Sequence, residues 1–192
     1  MSRHRRIIKA GALCGLIGAI IFALMWIVAA TVDSNWVLGE QTLSELGGNR
    51  PGRIFFNTGV ILEALLSIVF VFGLRYTLSD DNLGKAGSVV FFLAAISLLA
   101  VGIFPITTGV YHTVASYSFF GLSLIALIIF IKPLQSSRVF GAIFSIVTIV
   151  AILISLGFLF LTNIPTAEAV AVICLLFWSS IISIRMLTAK ES

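Results

Sequence analysis

Long apolar runs separated by short polar breaks dominate the chain, and the runs set its scale. Six of them are of membrane-crossing length: about Ile7 to Thr31, Ile54 to Thr77, Ala86 to Phe104, Val110 to Ile131, Val139 to Leu161 and Pro165 to Leu187. About 20 apolar residues suffice to cross a bilayer as a helix. The runs are continuously apolar and do not alternate, and lipid offers the backbone no hydrogen-bond partners, so each predicts a helix rather than a barrel strand. Apart from one long loop the breaks are short, which makes successive helices antiparallel neighbours. The pattern therefore predicts an all-α integral membrane protein: one transmembrane domain over residues 1–192, built as a bundle of six transmembrane helices.

The exceptional break is residues 32–53. Its second half, running into the next span from Gln41 to Asn57, holds Glu45, Arg50, Arg53 and the glycines Gly47, Gly48 and Gly52. Gly39 to Leu46 predicts a short helix with Leu43 and Leu46 on one side, stopped by Gly47-Gly48 and lying on the surface or over the bundle as a lid. Arg50-Pro51-Gly52 reads as a turn, and Trp36 suits the headgroup region.

Composition agrees with the pattern and charge adds an orientation. The chain is 59% hydrophobic and 10% charged, against about 25% charged in soluble domains. With the N-terminus inside, Arg3, Arg5, Arg6, Lys9, Arg75, Lys85, Lys132, Arg138, Arg185 and Lys190 fall on the inner side, and only Arg50 and Arg53 outside. That bias predicts cytoplasmic termini and an extracytoplasmic 32–53 loop in a cell-membrane protein. Topology thus accounts for the net charge of +4, and a nucleic-acid partner is not expected. The basic start followed by an apolar run is too long for a signal peptide and reads as a retained signal anchor. Gly11, Gly15 and Gly18 in this span form a small-residue row suited to close helix packing. Cys14 and Cys174 fall inside spans and read as small buried hydrophobes.

The chemistry-bearing residues collect at the outer end. His112, in the first turn of the fourth span, is the candidate acid, base or proton sensor; the alternative is a hydrogen-bonded structural histidine. Arg53 and Asn57 are four apart and share a helix face. Glu45 with Arg53 reads either as a headgroup clamp or as a surface ion pair of little value. Glu63 lies roughly 14 Å into its span at about 1.5 Å per residue, and about 120° off the Asn57 face. Intramembrane carboxylates usually face the bundle interior, as a relay or ligand contact, or as a neutral acid bonded to a neighbouring helix. Glu168 complements the dipole of the sixth helix. Ligand-binding candidates are therefore Glu45, Arg53, Asn57, Glu63 and His112. The two histidines, His4 and His112, fall at opposite ends and no metal-ligand spacing appears, so no metal is expected. No cofactor fingerprint is present, and Ser44 stands in no nucleophile elbow.

In their order along the chain, Leu43-Ser44-Glu45-Leu46-Gly47, Phe56-Asn57-Thr58-Gly59, Gly102-Ile103-Phe104-Pro105 and His112 resemble a family of small prokaryotic six-span proteins known as domain of unknown function 998. The resemblance implies the six-helix membrane fold over nearly the whole chain and implies no activity. The residues themselves point first to binding of a membrane lipid or small amphiphile in an outward-facing polar pocket. An alternative is a membrane-embedded enzyme acting on a lipid-linked substrate at the outer leaflet, with His112 as acid or base. Further alternatives are an ion- or proton-coupled transporter using Glu63 and a structural or assembly protein.

Overall fold

The computed structural model describes residues 3–189; Lys190, counted above among the inner basic residues, lies outside them. The described residues include seven α-helices and one 3-10 turn: α1 (Arg3–Val32), α2 (Leu43–Leu46), α3 (Arg53–Thr77), α4 (Asn82–Ile103), the 3-10 turn Ile106–Thr108, α5 (Val110–Ser136), α6 (Ala142–Leu161) and α7 (Ile164–Thr188). Six helices are long and apolar enough to cross a membrane. The short α2 lies in the long loop. The protein is a multi-pass, all-α membrane protein.

Helix α1 begins earlier than the sequence pattern, at Arg3, and α2 later, at Leu43 and not Gly39; three further boundaries differ, each for a local reason. Helix α4 starts at Asn82 and not near Ala86, because the Asp81 carboxylate caps it by accepting from Leu83 N at 2.7 Å and Gly84 N at 3.1 Å. Helix α5 runs past Pro133 to Ser136, where Pro133 and Leu134 are fully buried and that burial outweighs the missing proline N–H. Helix α6 starts at Ala142 and not at Val139, since Gly141 turns the chain at φ +81°, a conformation that favours glycine.

The long helices form a ring in chain order. Helix α1 packs on α3, α3 on α4, α4 on α5, α5 on α6, α6 on α7, and α7 closes back onto α1. At one end of the ring His4 meets the ring of Tyr76 at 5.2 Å, Arg75 Nη1 donates to Lys85 O at 3.2 Å, and Arg185 Nε donates to Val139 O. The loop, the 3-10 turn and the α6–α7 turn occupy the other end. The closest crossing is α1 on α3. A Cβ on Gly11 would stand 2.6 Å from Gly73 Cα, so here two backbones touch, as the small-residue row anticipates.

The interior differs between its two halves. At the terminal half, Phe70, Phe91, Phe130 and Trp178 interlock with ring centroids 5.6 to 6.3 Å apart, and Leu74, Leu134 and Ile182 complete a fully buried plug. Trp178 Nε1 donates to Thr148 Oγ1 at 2.9 Å, which satisfies its one polar atom. At the loop half a second cluster joins Phe22, Phe56 and Val60 to Trp36, Leu43 and Leu46 of the loop. The outward faces carry exposed Ile, Leu, Val and Phe, as at Ile146, Leu153 and Phe160 of α6, a surface suited to lipid.

Candidate functional site

The long loop is a built roof over the bundle. Its centre is α2, where every N–H of the first turn finds a partner. Thr42 and Glu45 form a capping box: Glu45 Oε1 accepts from Thr42 N at 3.1 Å, and Thr42 Oγ1 accepts from Glu45 N at 3.3 Å. The remaining two donors go to Glu168 of α7. Its carboxylate accepts from Leu43 N at 3.2 Å, Ser44 N at 3.3 Å and Ser44 Oγ at 2.8 Å. Glu168 therefore serves the loop helix, in place of the dipole role the sequence suggested.

Other contacts fix the roof at its edges. Asn57 Nδ2 donates to Gly47 O at 2.9 Å, and Asn163 Nδ2 donates to Gly39 O at 2.9 Å. Arg50 pairs with Asp33 at 3.0 Å and with Glu45 at 3.6 Å. Trp36 is buried, and its indole N–H donates to Thr42 O at 3.0 Å. The expected headgroup anchor is thus part of the roof's own core. Gly47 has ordinary right-handed geometry at φ −80°. Its small size matters instead, because a Cβ there would run into Asn57 and Phe56.

Beneath this roof lie two adjoining cavities. The larger, about 480 Å³, opens between α5, α6 and α7. Its lining runs along α5 from His112 to Leu124, roughly 18 Å of helix. Near the roof the walls are polar, with Thr42, Ser44, His112, Thr113, Ser116 and Glu168; further in they are mainly apolar, with Phe120, Leu124 and Leu156. The smaller, about 70 Å³, sits at the bundle centre under Leu43 and Ser44. It presents Glu63, Ser67, Ser116, Glu168 and Ser179 among phenylalanines and aliphatic side chains. Ser44, Ser116, Phe120 and Glu168 line both.

The five sequence candidates separate into two groups. His112 lines the larger cavity and Glu63 the smaller. Glu45, Arg53 and Asn57 line neither. Glu45 and Asn57 hold the roof, whereas Arg53 is exposed and its side chain makes no hydrogen bond or ion pair among the described residues. The Glu45–Arg53 clamp is therefore not formed; Arg50, three residues earlier, takes that place.

His112 is buried, and Nδ1 sits 2.8 Å from Phe104 O. A carbonyl only accepts, so Nδ1 carries the proton, and in the neutral ring Nε2 is an acceptor. Ser116, one turn on, places Oγ 3.2 Å from Nε2. A hydroxyl beside an acceptor imidazole is a nucleophile–base arrangement. Here a carbonyl, not a carboxylate, orients the ring. Ser116 also lies inside α5, where the surrounding N–H groups are consumed by the helix and cannot stabilise an oxyanion. Sequence reasoning missed Ser116 and the cavity role of Glu168. The available signals were the His112–Ser116 spacing of four and a carboxylate one full turn into an apolar helix.

A family model described as protein of unknown function (DUF998) matches residues 16–185. The chain belongs to that family. No curated protein and no solved structure matches it. In this DUF998 chain the four motif segments meet at the roof. Leu43 to Gly47 forms α2 and its cap, and Phe56 and Asn57 pack under Gly47. Gly102 lies against Val60 and Ile61 of α3, and Phe104 holds His112. Among the described residues no group of three or more His, Cys, Asp or Glu side chains gathers.

Proposed function

We propose that this membrane protein binds a lipid or small amphiphile in the cavity between α5, α6 and α7, at the extracytoplasmic side of the cell membrane. The observation that carries this reading is the polarity gradient of the cavity. Hydroxyls, His112 and Glu168 stand at the roof end, and a mainly apolar trough continues inward. Ligand pockets of this size are mostly apolar with a few convergent polar groups, and a tail-and-head molecule matches both parts. The inner-side excess of Lys and Arg supports a cytoplasmic location for both termini, which puts the roof outside.

Binding is preferred over catalysis because Ser116 has a base but no oxyanion donors and no carboxylate behind the histidine. A carrier is disfavoured by the aromatic plug across the terminal half of the bundle.

Native mass spectrometry of the protein extracted in mild non-ionic detergent tests the reading. The expected spectrum contains a co-purified adduct in the lipid mass range, and stripping it lowers the melting temperature. A clean apo mass, with no added lipid shifting the melting temperature, would contradict it.

A further inference from the structure

We infer that the headgroup taken under the roof is cationic, an amine or ammonium, with Glu63 and Glu168 as its recognition groups and its tail in the larger cavity. The inference rests on the binding reading above and adds the chemistry of the ligand. Its first ground is the charge of the lining. Among the described residues the two adjoining cavities present two carboxyl groups, an imidazole and several hydroxyls, and no Lys or Arg. The two basic residues of the loop end do not reach them. Arg50 is held by Asp33 and Glu45, and Arg53 is exposed. A phosphate or carboxylate headgroup would find no basic side chain among the described residues there to replace its hydration, whereas an amine finds carboxyl and hydroxyl oxygens that accept.

The second ground is an unpartnered atom. Glu63 is 7% exposed; its Oε1 accepts from Ser67 Oγ at 3.0 Å, while Oε2 has no hydrogen-bond partner among the described residues. A buried carboxylate oxygen without a donor is costly, and such groups inside a membrane usually mark a ligand or ion site. The bundle also makes room for this carboxylate, since any Cβ at Gly18 of α1 would overlap Oε2. An ammonium supplies three N–H donors and a compact charge, and the central cavity of about 70 Å³ suits a headgroup of that size. Glu168 already receives three donors from α2. Four lone-pair sites on a carboxylate leave it one more. Ser116 and Phe120, shared by both cavities, mark the passage between head and tail.

A headgroup series decides the matter on the wild-type chain. Dodecylamine, dodecanol and laurate are titrated separately into protein in a neutral detergent, with thermal melting and native mass spectrometry as readouts. Sodium chloride and choline chloride are compared without amphiphile. The expected result is a one-to-one dodecylamine adduct and a raised melting temperature, with weaker effects from dodecanol and laurate. Glu63→Gln is expected to keep the unliganded melting temperature within a few degrees and to weaken dodecylamine at least about tenfold, as loss of a charged hydrogen bond would.

Equal binding of all three compounds, a preference for laurate, or undiminished amine binding to Glu63→Gln would overturn the cationic headgroup while leaving the binding reading standing. Binding of none would overturn both. Stabilisation by sodium chloride alone would assign Glu63 to a free metal cation and overturn the tailed ligand. If Glu63→Gln does not fold, the wild-type series still decides.

Discussion

Glu168→Ala is expected to release the loop helix from the bundle, giving rapid proteolysis between Asp33 and Gly52 and a melting temperature lower by about 6 to 12 °C. The substitution removes the acceptor of three hydrogen bonds and leaves buried donors at Leu43 and Ser44. Hydrogen bonds to a charged group contribute roughly 1.5 to 3 kcal/mol each and are not additive, so about 3 kcal/mol is expected for the three together. For a chain of this length that corresponds to the stated shift. Glu168→Gln keeps one acceptor oxygen but turns an NH₂ toward a donor, and should fall between wild type and alanine. Glu45→Ala serves as a control, because it loses the reciprocal capping contact and a partly exposed ion pair, at a cost of about 1 kcal/mol. Limited proteolysis with melting curves separates these outcomes. A Glu168→Ala protein as protease-resistant as wild type would show that the roof is held by its other contacts.

The second large effect is at the α1–α3 crossing. Gly11→Ala should lower the melting temperature by about 2 to 12 °C, and Gly11→Leu should abolish the folded yield. The added Cβ would meet Gly73 Cα at 2.6 Å, Gly73 N at 2.9 Å and Val69 O at 3.0 Å. These are backbone atoms, so no side chain can rotate away and the helices must separate. Overpacking of this kind costs about 1 to 3 kcal/mol, converted here by the usual entropy of unfolding. Gly121→Ala is the contrast, since nothing lies within 4 Å of a Cβ there. It should be neutral or slightly stabilising, alanine being favoured over glycine in a helix by about 1 kcal/mol. Equal melting temperatures for Gly11→Ala and Gly121→Ala would disprove the backbone contact.

The bundle was legible because its determinants are local. Continuous apolar runs specify membrane-crossing helices, and the Gly11 row marks the side of α1 that packs closely. Leu43 and Leu46 likewise announced the buried side of α2, and both are almost fully buried. The site was less legible because its contacts join residues far apart in sequence. Glu168 meets Ser44 across 124 positions, and nothing near Glu168 distinguishes that partner from its own helix dipole. Arg50 and Arg53 look alike as partners for Glu45. The loop's path, fixed by Asp33 and the turn at Pro51, selects Arg50. Trp36 reads as an interfacial residue until Thr42 supplies a carbonyl for its N–H. For His112 the spacing to Ser116 was available, but the Phe104 carbonyl that sets the tautomer depends on the 3-10 turn between α4 and α5.

The binding reading is tested most directly by filling the larger cavity without disturbing the bundle. Gly121 lines that cavity and has open space where a side chain would grow, so Gly121→Phe should occupy the trough while the helices stay in place. Native mass spectrometry of wild type and Gly121→Phe, purified side by side, is the measurement. The predicted result is a lipid-range adduct on the wild-type chain, its loss from Gly121→Phe, and equal melting temperatures for the two stripped proteins. An adduct of unchanged mass and occupancy on Gly121→Phe, or none on either protein, would contradict binding in this cavity.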